Sequence, residues 1–142
     1  MIYDVKTYVG LGELKFGMTK EEIRNILGGE VKEIKKALSD KTTDVFVGQG
    51  IHVYYNQLGK CEAIECGKGG IIKFKEKEII GKPFKNIEKM FRELDDILEI
   101  SDTGFVSYKL GIGVYVPTLK KSKSELIQGV IIFERGYYDK RQ

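Results

Sequence analysis

Residues 16–28, with the sequence FGMTKEEIRNILG, encode a helix whose start and end are both specified. Thr19 can cap the first turn, while Glu22, three residues later, can reach back to the N–H of the cap; this is the capping-box pattern. Gly28 supplies a left-handed terminator. Such a helix needs an apolar surface to cover, so the chain must also build a core. Its apolar stripe is formed by Ile23, Ile26 and Leu27.

Strand-like segments separated by glycine-containing turns follow this helix. Their alternation of apolar and polar residues is typical of sheet strands. The segment between the helix and these strands, residues 31–38, is compatible with a helix or with a strand, so both assignments stay open. The predicted strands are residues 44–47, 51–55 and 60–66.

The second half of the chain repeats this plan. Pro83 stands where a helix can begin, and an apolar helical face follows up to Leu94. The stretch from Ile51 to Tyr54 matches the stretch from Ile112 to Tyr115 in pattern, which indicates a duplication. The predicted strands of this half are residues 105–110, 112–116 and 127–134.

We therefore predict one α+β domain covering residues 1–142, with internal repeats at about 10–67 and 76–136. Each repeat is expected to be a helix followed by three strands. Together they would form one continuous antiparallel sheet with both helices on one face. Alternation places Ile51, Val53 and Tyr55 on the helix side, with His52 and Tyr54 on the other side.

The composition is that of a globular domain, with 42% hydrophobic and 32% charged residues. The net charge of +3 comes from 24 basic and 21 acidic residues that are interleaved, which gives little support to nucleic-acid or membrane binding. No segment looks like a signal peptide or a membrane span, so we expect a cytoplasmic protein. Lysines alternate along residues 73–77, and we interpret them as protection of a sheet edge.

Candidate catalytic groups are few. His52 is the only histidine, and Cys61 and Cys66 are the only thiols, so a zinc site lacks ligands. The two cysteines differ in parity and are expected on opposite faces of one strand. The acidic pairs Glu62/Glu65 and Asp95/Asp96 are interpreted as structural, the second as a solvated helix end. We expect no catalytic residue, metal or cofactor.

The tyrosines are the stronger signal, because tyrosine buries a large area and keeps a hydroxyl for hydrogen bonding. Tyr54 and Tyr115 occupy equivalent positions in the two predicted repeats, and either could contact a partner or belong to the core. Tyr108 is assigned to the core. The long hairpin at residues 117–125 is predicted to project beyond the sheet as a charged tip. Its basic residues are Lys120, Lys121 and Lys123.

The motif at residues 16–28 resembles the opening of the helix-plus-strands module of β-lactamase inhibitor proteins and SmpA/OmlA-type lipoproteins. Stand-alone chains of this size and look also resemble the immunity proteins paired with polymorphic toxins in Gram-positive bacteria. These resemblances imply a tandem module that binds a protein, such as a toxin domain, and blocks it.

Our leading hypothesis is thus an immunity or inhibitor protein that presents its open sheet face to a partner. Tyr54, Tyr115 and His52 would supply the central contacts, with Lys120, Lys121 and Lys123 at the rim. One alternative is a small-ligand-binding protein or enzyme with a pocket between sheet and helices near His52. Another is a protein that self-associates through its edge strands.

Overall fold

The computed structural model describes residues 2–35 and 37–138. These residues form two helices, α1 (Lys20–Leu27) and α2 (Phe84–Leu94), and thirteen strands. The strands are β1 (Ile2–Lys6), β2 (Gly10–Leu11), β3 (Leu14–Lys15), β4 (Val31–Lys35), β5 (Thr42–Phe46), β6 (Ile51–Tyr55), β7 (Cys61–Cys66), β8 (Ile71–Phe74), β9 (Lys77–Glu78), β10 (Glu99–Ser101), β11 (Gly104–Ser107), β12 (Ile112–Tyr115) and β13 (Gly129–Phe133).

Helix α1 has the ends that its sequence specifies. The N–H of Glu22 donates to Oγ1 of Thr19 at 3.2 Å, and the N–H of Thr19 donates to Oε1 of Glu22 at 3.1 Å. These two bonds confirm the capping box. Gly28 ends the helix with a φ of 63°, which an L side chain rarely adopts. Of the predicted stripe, Ile23 and Leu27 are buried.

Helix α2 begins after Pro83, as predicted, and buries Phe84, Ile87 and Phe91. Its C-terminal Asp95 is not solvated: the side chain is buried, and Oδ2 accepts a 2.7 Å hydrogen bond from the hydroxyl of Ser107 on β11. The interpretation of Asp95 as a solvated helix end is therefore wrong. Instead, its carboxylate ties the end of α2 to the sheet.

The strands form two sheets. The larger has eight strands in the order β10-β11-β12-β13-β7-β6-β5-β4, and all its neighbours are antiparallel. The smaller has five in the order β3-β2-β1-β8-β9, with β1 parallel to β8. A mixed fold with mostly antiparallel sheet is as predicted. The prediction of two helix-then-three-strand repeats in one sheet is wrong, because four strands of the larger sheet follow each helix and five other strands form a second sheet.

Two local assignments are settled by the strand pairing. Residues Val31–Lys35 form strand β4 at the edge of the larger sheet, so this segment is not a helix. The lysine stretch at residues 73–77 is not one strand but a hairpin between β8 and β9. Lys75 and Glu76 form its turn, with φ angles of 49° and 69°. Lys73, Lys75 and Lys77 therefore do not share one strand face.

One face of the larger sheet carries the hydrophobic core. Pairing aligns Phe46, Ile51, Cys66, Val130, Val114 and Phe105 across six strands, and all six are buried. Both helices pack on this face: Phe91 of α2 lies 5.0 Å from Phe105 between ring centroids, and Ile23 of α1 belongs to the same core. The smaller sheet adds Tyr3, Leu11, Leu14, Ile72 and Phe74 to this core.

A β-bulge changes the orientation of one cysteine. The register of β6 and β7 shifts between Tyr54, which pairs with Ala63, and Tyr55, which pairs with Cys61. Glu62 is the extra residue of the bulge and interrupts the strict alternation of β7. As a result, Cys61 points to the same face of the sheet as Cys66. Both thiols are free, buried and part of the core, so the expectation that they point to opposite faces is wrong.

A buried ion pair attaches α1 to the larger sheet. Asp44 on β5 is fully buried and accepts hydrogen bonds from Nη2 of Arg24 at 2.6 Å and from Nε at 2.8 Å. The hydroxyl of Tyr55 donates to the same carboxylate at 2.9 Å. Burial, followed by the Asp44 charge, raises the pKa of Tyr55, so this hydroxyl stays protonated as a donor.

Among the described residues, no helix is both long and apolar enough to cross a membrane.

Replacing Arg24 by alanine should destabilise the fold by about 2–3 kcal/mol, because it leaves the buried Asp44 carboxylate without its cation. The expected loss lies at the lower end for a broken buried pair, since the Arg24 side chain is 36% exposed. Glu33→Gln is the control: it removes an exposed carboxylate that pairs with Lys20 at 2.8 Å and with Arg24 at 3.1 Å, and it should cost less than about 1 kcal/mol. Urea unfolding followed by circular dichroism measures both, and equal losses would contradict the anchoring role.

The double substitution Lys75→Asn/Glu76→Gly should raise stability by about 1 kcal/mol. Two consecutive residues with positive φ form the tight turn that asparagine and glycine favour, and side chains such as lysine and glutamate are strained there. Thermal unfolding measures the effect. The same residue types placed on the flanking strand, as Lys77→Asn/Glu78→Gly, should instead lower the melting temperature. A drop for the turn variant would show that its backbone is unstrained.

Candidate functional site

The face of the larger sheet opposite the core is the candidate site, and we call it the open face. Strand pairing assigns to its inner six strands thirteen residues: Thr43, Val45, His52, Tyr54, Ala63, Glu65, Gly104, Val106, Gly113, Tyr115, Gly129, Ile131 and Phe133. Neither helix packs on this face. The parity predicted for β6 is confirmed, since Ile51, Val53 and Tyr55 are buried while His52 and Tyr54 are partly exposed.

A continuous row crosses the middle of the open face. Its polar members His52 and Glu65 have 43% and 44% of their side chains exposed, against 1% for Ile51 on the core face. The apolar members Val45, Ile131 and Val106 are partly buried. The row is therefore accessible to a partner. From one sheet edge to the other it contains Lys32, Val45, His52, Glu65, Ile131, Gly113, Val106 and Glu99.

Three polar side chains meet near the centre of this row. The hydroxyl of Tyr54 donates to Oε1 of Glu65 at 2.9 Å, and Nδ1 of His52 lies 3.8 Å from the same oxygen. Burial, then the Glu65 charge, raises the pKa of Tyr54, so its hydroxyl remains a donor. The arrangement fixes the Tyr54 ring on the face. It also shows that Glu65 belongs with the site, which sequence analysis had missed by treating Glu62 and Glu65 as a structural pair.

Tyr115 lies at the opposite corner and is 51% exposed. Its row neighbours are Gly104 and Gly129, so no bulky side chain flanks the ring in that row. Tyr115 lies three strands away from Tyr54, at about 4.8 Å per strand, and four residues further along the strand direction, at about 3.3 Å per residue. The two tyrosines are therefore roughly 20 Å apart. One small molecule cannot contact both, but a protein surface can.

The two halves of the sheet can be matched pair by pair. Tyr54 pairs with Ala63 as Tyr115 pairs with Gly129, so the two tyrosines occupy corresponding positions in the two ladders. The core-face pairs are apolar in both halves: Ile51/Cys66 with Ile112/Ile132, and Val53/Ile64 with Val114/Val130. On the open face the matched pairs differ, because His52/Glu65 corresponds to Gly113/Ile131.

An aromatic cluster covers one end of the open face. Phe133 shares a row with Ala63 and Tyr54, and it is buried on this side by Tyr8, Tyr108, Tyr137 and Tyr138, with ring centroids 4.7–6.5 Å away. Four of the eight tyrosines are thus gathered here. Tyr108, which we had assigned to the core, is 37% exposed. The alternation of Gly129, Ile131 and Phe133 was the sequence signal for this aromatic position.

The three lysines of the predicted tip lie on a loop that folds back on α2. The N–H groups of Phe84 and Lys85 donate to the carbonyls of Glu125 and Lys123, and Nζ of Lys123 lies 3.3 Å from the largely buried Glu88. Nζ of Lys120 instead lies 3.4 Å from Oδ2 of Asp102, in the β10–β11 turn near the row of Tyr115. Lys121 is exposed. The expected free projection is therefore wrong, and Lys123 belongs to the helix side.

The residues for a His–Cys mechanism are not assembled. His52 lies on the open face, whereas Cys61 and Cys66 lie in the core beneath it. Burial raises the pKa of each thiol to about 12, which opposes formation of a nucleophilic thiolate.

Two cavities, of about 430 and 330 Å³, border α2 and α1 respectively, and His52 lines neither of them. Among the described residues, no group of three or more metal-ligating side chains comes together.

A scan against protein-family models found no match, and searches of curated proteins and of solved structures found no similar protein.

The thiols should be unreactive in the folded protein. A pKa of about 12 leaves roughly one thiol in ten thousand ionised at pH 8, and burial also blocks the reagent. We expect both cysteines to react with Ellman's reagent at least about 100-fold more slowly in buffer than in denaturant. Rapid labelling of one thiol in the native protein would contradict its burial and reopen the case for a reactive cysteine.

Proposed function

We propose that this chain is a protein-binding module of the immunity or inhibitor type, which docks its open face on a folded partner and blocks it. The observation that carries the proposal is the pair of equivalent tyrosines, Tyr54 and Tyr115, on a sheet face that neither helix covers. Tyrosine is enriched among residues that dominate binding energy, because its ring fills a pocket and its hydroxyl still finds a hydrogen-bond partner.

The dimensions of the open face suit a protein partner. The tyrosines lie roughly 20 Å apart, and a standard interface of about 800 Å² on each partner spans such a distance. Between them lie the partly buried apolar side chain of Ile131 and the polar group around Glu65. This mixture of aromatic, apolar and hydrogen-bonding groups is the usual composition of a protein interface.

The blocking mode follows from rigidity. Tyr54 and Tyr115 are on regular strands whose other face is packed against helices, so little conformational entropy is lost when they bind. A rigid, broad surface can cover an active site without chemistry of its own. A toxin domain is the partner class that the resemblance to immunity proteins suggests, and the cytoplasm is the corresponding location.

The double variant Tyr54→Ala/Tyr115→Ala should lose the partner. Each tyrosine is expected to contribute more than about 2 kcal/mol to binding. Tagged wild-type protein and the double variant are used as baits in native lysate, and bound proteins are compared by mass spectrometry. A protein captured by the wild type and lost with the variant is then purified, and its affinity is measured by calorimetry.

Two controls separate binding from folding. Tyr54→Phe keeps the ring and removes only the bond to Glu65, so it should retain most of the affinity. Tyr55→Ala removes a fully buried ring and should destabilise the fold by about 3–5 kcal/mol. If the double variant instead unfolds as readily as Tyr55→Ala, its tyrosines are core residues and the proposal fails.

A further inference from the structure

The centre of the open face carries a single full charge. Of the residues that strand pairing assigns to this face on the six inner strands, Glu65 is the only acid, and none is a lysine or an arginine. Lys32 and Glu99 occupy the two edge strands. Glu65 itself is on β7 and pairs with Ile131 on β13, which are the two central strands. Residues at the centre of an interface are those that most often dominate its energy.

The Glu65 carboxylate is held in place through one of its two oxygens. Tyr54 donates to Oε1, and His52 approaches the same oxygen. Among the described residues, none donates to Oε2. A partner that covered this face with apolar groups would strip water from a carboxylate without replacing its hydrogen bonds, which is costly. A partner that presents a guanidinium or ammonium group would replace them with charge-assisted bonds.

The fold does not require a charge at this position. In the matched pair of the second half, Ile131 stands where Glu65 stands in the first, and Gly113 stands where His52 does. An aliphatic side chain is therefore compatible with the same place in the same ladder. Folding accounts for the apolar core-face pairs of both halves, but not for this carboxylate.

We propose that the open face recognises a positively charged side chain, an arginine or a lysine, which pairs with Glu65 between Tyr54 and Ile131. This inference rests on the proposed function and names the chemistry of the contact. The Tyr54 ring supports it, because cations also bind favourably near aromatic faces. Arginine fits best, since its planar fork can bond both carboxylate oxygens.

The test uses a defined probe rather than the natural partner. A displayed library of a small single-domain scaffold, with loop positions encoding tyrosine, serine, arginine, lysine, aspartate and glutamate at equal frequency, is selected on the wild-type protein. Clones that fail to bind Tyr54→Ala/Tyr115→Ala are kept as binders of the open face. Their loops are sequenced, and their affinities for wild type, Glu65→Gln and the control Glu78→Gln are measured. Glu78 is a half-exposed acid on the edge of the smaller sheet.

In open-face binders, basic residues should exceed acidic ones by at least about threefold. Glu65→Gln should weaken binding by about tenfold, equivalent to about 1.4 kcal/mol, while Glu78→Gln should change it less than about twofold. Open-face binders with no basic excess, or with unchanged affinity for Glu65→Gln, would overturn the inference and leave the proposed function standing. Failure to obtain any binder sensitive to the tyrosines would count against the proposed function itself, and this inference would fall with it.

Discussion

The pairing of β7 with β13 is the interaction on which the rest of the structure depends. These strands come from different halves of the chain, and their ladder joins two four-strand units into one eight-stranded sheet. A shift of one residue in this ladder would turn the buried side chains of one half towards solvent. The same register aligns Ile64 with Ile132 on the core face and Glu65 with Ile131 on the open face. One pairing thus creates both the core and the centre of the candidate site.

Local rules were enough to predict the parts of the fold that depend on neighbouring residues. The capping box of α1, the apolar face of α2 and the alternation of β6 all follow from contacts within about four positions along the chain. The orientation of His52 and Tyr54 away from the core was predicted for this reason. The placement of Tyr54 and Tyr115 on the same face was also visible, because the two strands share the same alternation of apolar and polar residues. The placement of His52, Tyr54 and Tyr115 on the open face was therefore accessible to sequence reasoning.

The features that were missed depend on distant or irregular contacts. Strand β1 pairs in parallel with β8, nearly seventy positions away, and no local pattern signals such a partner. The bulge at Glu62 reverses the parity of Cys61, which strict alternation cannot anticipate. Lys75 and Glu76 adopt a turn that sequence rules reserve for asparagine and glycine. The aromatic cluster around Phe133 brings Tyr8 next to the last strand, so its existence depended on the complete topology.

The two faces of the larger sheet are under different physical constraints, and their matched positions show it. On the core face, the matched pairs of both halves are apolar, since a polar group buried there needs a dedicated partner, as Asp44 has in Arg24. On the open face, water can satisfy whatever side chain is present, so folding leaves the choice of residue open. The two halves have different residues at these matched positions: the first half has His52 and Glu65, and the second has Gly113 and Ile131. The two halves of the larger sheet thus form a surface whose matched positions are polar on one side and apolar on the other. For the partner that we propose, a surface that matches both sides would fit in only one of two opposite orientations, so the unequal halves would add specificity to the binding.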